Sequence, residues 1–138
     1  MKIQLNSKAA AKWNSTELTG ALVDACLDAK GLDVAVLDMR SVFDLSDYFV
    51  IVSGRSDRQV QGICNKILSS MADNGLAPDL MEGFDQGHWV ILEFGEVLIH
   101  VFYEPLRAHY DIEGLWTRAT RMSVSLGEDG AVELNKAA

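Results

Sequence analysis

Apolar and polar positions alternate most regularly between Trp89 and Phe102, WVILEFGEVLIHVF, where two apolar runs flank Phe94-Gly95. With those two residues as the loop, Gly95 supplies the positive φ of a tight turn and the segment folds as a hairpin. Pairing then sets Glu93 opposite Glu96, Leu92 opposite Val97, Ile91 opposite Leu98, Val90 opposite Ile99 and Trp89 opposite His100. Cross-strand partners share a face, so Val90, Leu92, Val97, Ile99 and Val101 make one aliphatic side that must be core. The other side carries Trp89, Ile91, Leu98, His100 and Phe102, and it ends in two facing carboxylates, which is unfavourable for stability alone. Phe94 falls at the turn tip, out of reach of the core beneath its own hairpin, and is expected to meet a partner.

Elsewhere the period changes. Leu18, Ala21, Leu22, Ala25, Cys26 and Ala29 recur at helical spacing, with Asn14, Ser15 or Thr16 as N-cap and Gly31 as stop. Leu32 to Met39 reads as a strand, and the unbroken run Tyr48 to Val52 as one buried on both faces. Val60, Ile63, Cys64, Ile67, Leu68 and Met71 mark a second amphipathic helix, capped by Ser56 or Asp57 and ended by Asn74-Gly75. Leu80 to Glu82 reads as a short edge strand. Beyond the hairpin, Pro105 suits a turn or helix start, and Asp111 to about Thr120 makes one short helix with Ile112, Leu115 and Trp116 inward. The order implies one α/β domain over residues 14–120, with a mixed sheet of four or five strands and flanking helices. Residues 1–13 and 121–138 read as tails, although Val124, Leu126, Val132 and Leu134 alternate as a small hairpin would.

Charge adds a direction. The 138 residues carry 20 Asp and Glu against 12 Lys and Arg, a net charge of -8, which opposes adhesion to bare nucleic acid or anionic lipid. It favours a basic partner, or simply solubility. No Lys or Arg occurs between Lys66 and Arg107, whereas Asp73, Asp79, Glu82, Asp85, Glu93, Glu96 and Glu104 do, so the hairpin is the centre of an acidic region. The two cysteines, Cys26 and Cys64, lie on helical apolar stripes and suggest neither a disulfide framework nor a zinc site. No apolar run is long enough to span a membrane and no leader is evident, so a cytoplasmic protein is expected.

Candidate chemistry is sparse. The strand, Ser53-Gly54-Arg55-Ser56 and the helix after it form the geometry that receives a phosphate on backbone N–H groups, but the GxxxxGK[ST] pattern is absent. In nucleotidyltransferases a similar turn works with alternating carboxylates on a later strand. Here Glu93 and Glu96 straddle a turn, without the i, i+2 spacing that a metal pair on a strand needs. A structural turn with a helix cap is the simpler reading of Ser53 to Asp57. His88, His100 and His109 lack metal or triad spacing, and His100 reads as a packed, hydrogen-bonded histidine. Arg107, Arg118 and Arg121 lie close in sequence and read as solvated surface, with RNA contact as their functional alternative.

Taken together, Asp47-Tyr48-Phe49-Val50-Ile51-Val52-Ser53-Gly54, Ser56, Arg58-Gln59-Val60, Gly87, Trp89-Val90, Glu93-Phe94-Gly95-Glu96-Val97, His100-Val101-Phe102, Tyr110 and Leu115-Trp116 resemble the ribosomal silencing factor family, also called Iojap. The likeness runs from about Leu18 to Trp116. It implies a non-enzymatic factor, without cofactor or metal, whose nucleotidyltransferase-like fold lacks the catalytic carboxylates. It further implies binding to the large ribosomal subunit through its basic protein number fourteen, where the small subunit would dock, and repression of translation under nutrient limitation. By the same pattern Trp89, Glu93 and Phe94 fall at the ribosomal-protein contact, with Gly95 and Glu96 shaping the turn. Glu93 and Glu96 stand where Asp is common in that pattern, which lengthens the reach by one methylene and keeps the charge. Members also self-associate, so a homodimer is among the states the resemblance allows.

Overall fold

The computed structural model describes residues 13–136. Its elements are α1 (Ser15–Asp28), β1 (Leu32–Asp38), β2 (Tyr48–Gly54), α2 (Asp57–Ala72), β3 (Leu80–Glu82), β4 (Trp89–Phe94), β5 (Val97–Tyr103), α3 (Glu104–Tyr110), α4 (Ile112–Leu115), β6 (Thr120–Leu126) and β7 (Val132–Lys136). The strands form one mixed sheet of seven in the order β3-β4-β5-β2-β1-β6-β7. Only β2 and β5 run parallel; every other neighbouring pair is antiparallel.

Seven strands replace the four or five expected. The additional pair is β6 and β7, from the segment read as a C-terminal tail: β6 joins β1 through Val36↔Met122 to Asp38↔Thr120, and β7 folds back on it. Val124, Val132 and Leu134 pack against the main core, whereas Leu126 is 63% exposed. Apart from Trp13, half-buried against that core, the expected N-terminal tail lies outside the described residues.

The two faces of the sheet are covered differently. Leu18, Leu22, Val23 and Cys26 of α1 and Val60, Ile63, Ile67 and Met71 of α2 close on one face, over Val50, Val52, Val90, Leu92, Ile99 and Val101. A capping box starts α1: the Asn14 side chain accepts the Glu17 N–H at 2.8 Å while the Glu17 carboxylate accepts the Asn14 N–H at 3.0 Å. Ser56 caps α2 by accepting the Gln59 N–H. The expected helix stop at Gly31 is instead Lys30, at φ 63°. A Cβ on Gly31 would lie 2.5 Å from a Val52 methyl, so Gly31 is there for close packing on β2. A smaller core on the second face gathers Ala35, Leu37, Met39, Phe49, Ile51, Phe102 and Ile112 beneath α3, α4, Phe43 and Trp116. The helix expected from Asp111 to about Thr120 is only the single turn α4, and the helix start suggested by Pro105 is a separate helix, α3; between them Asp111 adopts the left-handed conformation and its carboxylate caps α4. Leu115, expected inward, is 75% exposed, because α4 ends after one turn.

The hairpin is displaced from its expected register. Phe94 pairs with Val97, so the two loop residues are Gly95 and Glu96, with Gly95 at φ 57° in the first loop position, where a II′ turn takes glycine. Glu93 now faces Leu98, Ile91 faces His100 and Trp89 faces Phe102. Each partner moves by two, so every inward residue stays inward. The physical reason is Phe94. In the expected register its ring stands in water and two carboxylates oppose each other; in the observed one it is 1% exposed, and burying such a ring contributes about 2–3 kcal/mol. Phe94→Ala should therefore lower unfolding stability by about 3–5 kcal/mol in urea titration, the cost of emptying a packed aromatic site. A loss under about 1 kcal/mol, as for a solvent-facing residue, would contradict the observed register.

Candidate functional site

Around the hairpin the second face of the sheet loses its cover. Pairing aligns side chains into rows across the strands: Leu80, Glu93, Leu98 and Phe49 form one, and Glu82, Ile91, His100 and Ile51 the next. Along each row exposure falls from the β3 edge inward. Leu80 is 40% exposed and Glu82 is exposed; Ile91, Glu93 and Leu98 are half-buried; Phe49 and His100 are 4% exposed. The rows therefore descend from an open, mixed apolar and acidic strip into the aromatic core under α3 and α4.

Beside this strip the turn is held firmly. The Gly95 N–H donates to the Asp79 carboxylate at 2.7 Å, and the Asp79 N–H donates to the Glu93 carbonyl at 2.7 Å. On the other side the Glu96 carbonyl accepts the Asp47 N–H at 2.7 Å and the Ser46 hydroxyl at 3.1 Å. Both flanks of the tip are thus bonded to neighbouring segments, while Gly95 and Glu96 themselves remain exposed. Among the described residues Glu82, Glu93 and Glu96 form no ion pair. The strip therefore presents carboxylates beside Leu80, Ile91 and Leu98 with no internal cation to neutralise them, and a basic, partly apolar surface is its electrostatic complement.

Of the residues singled out from the sequence, Glu93, Gly95 and Glu96 lie on this surface. Glu93 and Glu96 do not oppose each other, one standing on the strand face and the other in the turn. Phe94 is underneath, against the first-face core. Trp89 is half-buried: its ring lies 5.0 Å from Phe102 and 4.7 Å from Tyr110, and its Nε1–H donates to His100 Nδ1 at 3.1 Å. Leu80 and Glu82 were not singled out. Their alternation in Leu80-Met81-Glu82 marks the shared face, but only pairing with β4 reveals which face it is.

His100 links the open strip to this core. Because Nδ1 accepts from Trp89, the ring proton of the neutral form sits on Nε2, which is buried without a hydrogen-bond partner. Burial pushes the imidazole down from 6.5 to about 4. The unfolded chain then binds the proton more readily, so the stability due to a neutral His100 is full above pH 6.5 and is lost as pH falls toward 4. Chemical denaturation at pH 7 and pH 4 should give a difference larger in the native protein than in His100→Phe, by about 2–3 kcal/mol. Equal pH dependence in the two would show that His100 does not carry this linkage.

The Ser53–Ser56 turn is occupied by its own side chains. The Arg55 N–H donates to Gln59 Oε1 at 2.6 Å, the Arg58 N–H to Asp57 Oδ1 at 2.8 Å and the Gln59 N–H to Ser56 Oγ at 3.1 Å. Ser53 is 1% exposed, and its hydroxyl accepts from Arg107 Nη1 at 3.0 Å. Arg107 also donates to both Glu113 oxygens, at 3.0 and 3.1 Å, which holds the Glu113 carboxyl below its usual range. Asp33, Glu104 and Asp111 line the hollow beside it. An arginine neutralised this way, among carboxylates, makes a poor phosphate receiver. No group of His, Cys, Asp and Glu suited to a metal ion occurs among the described residues.

Fold and site together define a mixed α/β domain whose open surface is an acidic sheet face. The family model described as ribosomal silencing factor during starvation matches residues 12–137. The chain is 39% identical over 103 residues to a ribosomal silencing factor of Bacillus subtilis, covering 75% of this chain and 87% of that one. Its structure is similar to a crystal structure of a Chromobacterium violaceum protein, with a TM-score of 0.74, 30% identity and coverage of 76% and 88% of the two chains. More distantly it is 28% identical over 99 residues to the mitochondrial assembly of ribosomal large subunit protein 1 of Mus musculus, spanning 43% of that protein. The chain belongs to the ribosomal silencing factor family.

Proposed function

We propose that this protein binds the large ribosomal subunit through its basic protein number fourteen and, by occupying that surface, blocks joining of the small subunit and represses translation when nutrients are limiting. The observation that carries the proposal is the open strip on β3, β4 and β5, where Leu80, Ile91 and Leu98 lie among Glu82, Glu93 and Glu96, none of which has an ion-pair partner among the described residues. Aliphatic contact supplies affinity there, and the carboxylates supply orientation and on-rate against a basic partner. Gly95 and Glu96 form the edge of the contact. Phe94 acts from the opposite face, fixing the turn, while Trp89 shares the face of Ile91 and Glu93 and anchors the inner end of β4 against Phe102 and Tyr110.

Such a factor works by occupancy and needs neither a cofactor nor a catalytic group. The β2, Ser53–Ser56 and α2 unit fits a nucleotidyltransferase-like ancestry, with the turn now serving as a helix cap. In this reading the protein acts in the cytoplasm; no helix among the described residues is long and apolar enough to cross a membrane. A homodimer is compatible with this action provided the strip stays open in each copy.

Sedimentation with purified large subunits, small subunits and assembled ribosomes tests the proposal. Native protein should travel with free large subunits alone, more weakly as salt rises, because exposed charge attraction is screened. Glu93→Lys with Glu96→Lys, both outside the core, should weaken that binding at least tenfold, about 1.4 kcal/mol, and restore subunit joining. Unchanged binding of the double variant would remove the carboxylates from the contact.

A further inference from the structure

At the opposite end of the sheet, β7 is an edge strand whose only neighbour among the described residues is β6. The Gly127 N–H bonds the Ala131 carbonyl at 2.7 Å, so by the alternation of an antiparallel ladder Glu133 and Asn135 turn their main-chain groups toward β6. Those of Val132 and Leu134 then point outward from the sheet. The Val132 and Leu134 side chains form the floor of an open groove of about 570 Å³, whose other wall is the face of α1 bearing Gly20 and Ala21.

Two features make this groove more than an unfinished edge. Gly20 sits inside α1 with nothing within 4 Å of where its Cβ would be, so the helix carries glycine's conformational cost with no internal contact to require it. The rim is acidic: Glu17, Asp24 and Asp129 line it, and no Lys or Arg does among the described residues. Unpaired main-chain groups, an apolar floor and an acidic rim specify one kind of occupant. We propose that β7 receives an extended segment of a partner protein as an eighth strand. That segment carries apolar side chains at alternate positions, facing Val132, Leu134 and Gly20, with Lys or Arg flanking them on the same face, toward Glu17, Asp24 and Asp129, and polar residues at the positions between. The site is separate from the strip on β3, β4 and β5, and its test does not depend on ribosome binding.

The probe is a fluorescent peptide, Lys-Thr-Ile-Thr-Val-Thr-Lys, whose two Lys share a face with Ile and Val, titrated with the full chain and followed by anisotropy. It should bind, whereas the Glu-for-Lys counterpart and a version N-methylated at alternate amides should not. Asp24→Lys should weaken binding about three- to tenfold. Gly20→Leu should abolish it by filling the groove while leaving the thermal midpoint unchanged or higher, since Gly20 has room for a side chain and leucine favours helix. Equal binding of the methylated peptide, or full binding by Gly20→Leu, would overturn strand addition at this groove, as would failure of the parent peptide to bind. Residues 1–12 of the chain carry Lys2, Lys8 and Lys12 and no acid, so they are the competing occupant. Peptide binding that emerges only after their removal would assign the groove to the chain itself and overturn the proposal of an external partner.

Discussion

Parallel pairing of β2 with β5 is the constraint on which the remainder depends. All seven residues of β2 are buried, and the ladder runs unbroken from Tyr48↔Val97 to Gly54↔Tyr103. Its register is fixed at the start, where the Glu96 carbonyl accepts both the Asp47 and Tyr48 N–H groups and the Ser46 hydroxyl. A parallel pair cannot be closed by a short turn, so α2, β3 and β4 must form the crossover between its strands. The hairpin partner of β5 is then β4, and the position of the β4–β5 turn is set by where β5 has to begin. The register that buries Phe94 is therefore also the one that presents Val97 to Tyr48.

From that pairing follows the inequality of the two faces. Two helices of fourteen and sixteen residues cover one face almost completely. Among the described residues the other is covered only by α3, α4 and the segment around Phe43, which reach across β1, β2 and part of β5. The uncovered remainder is a surface built on strands and supported by Phe49, His100, Phe102 and Trp89, whose rings stack or meet edge to face. A contact surface on strands flanked by packed aromatics loses little conformational entropy on binding, which suits the proposed action by occupancy. The polar cost of this backing is concentrated at His100, whose Nε2 is buried without a partner while Nδ1 orients Trp89.

Much of this was legible in the sequence because periodicity reports burial directly. Tyr48 to Val52 read as doubly buried, and the residues assigned to the inner face of the hairpin are all inside. What failed were choices that periodicity leaves degenerate. A two-residue loop at Phe94-Gly95 and one at Gly95-Glu96 give the same inward set, and only the environment beneath the tip separates them. β6 and β7 were read as a tail because residues 127–130, Gly-Glu-Asp-Gly, resemble a disordered end. Their stability comes from contact with β1 and α1, which local pattern cannot show. The acidic character of the candidate strip was visible as an absence of Lys and Arg, whereas the part played by Leu80 and Glu82 depended on strand pairing across a gap of several residues.

The same geometry bears on how charge and apolar contact divide their work in the proposed silencing complex. Glu96 stands in an exposed turn and Glu82 on an exposed edge, so both act through water, where attraction between charges is screened and each pair is worth little at equilibrium. Glu93 differs, being half-buried between Leu80 and Leu98 in the middle of its row. A partner closing over Leu80, Ile91 and Leu98 removes water from Glu93, and from that point its carboxylate must be met by a cation or a donor. An uncharged surface of the same shape would leave it buried and unpaired, at a cost of several kcal/mol. Discrimination for a basic partner is therefore concentrated at Glu93, while the exposed acids govern the speed and orientation of approach.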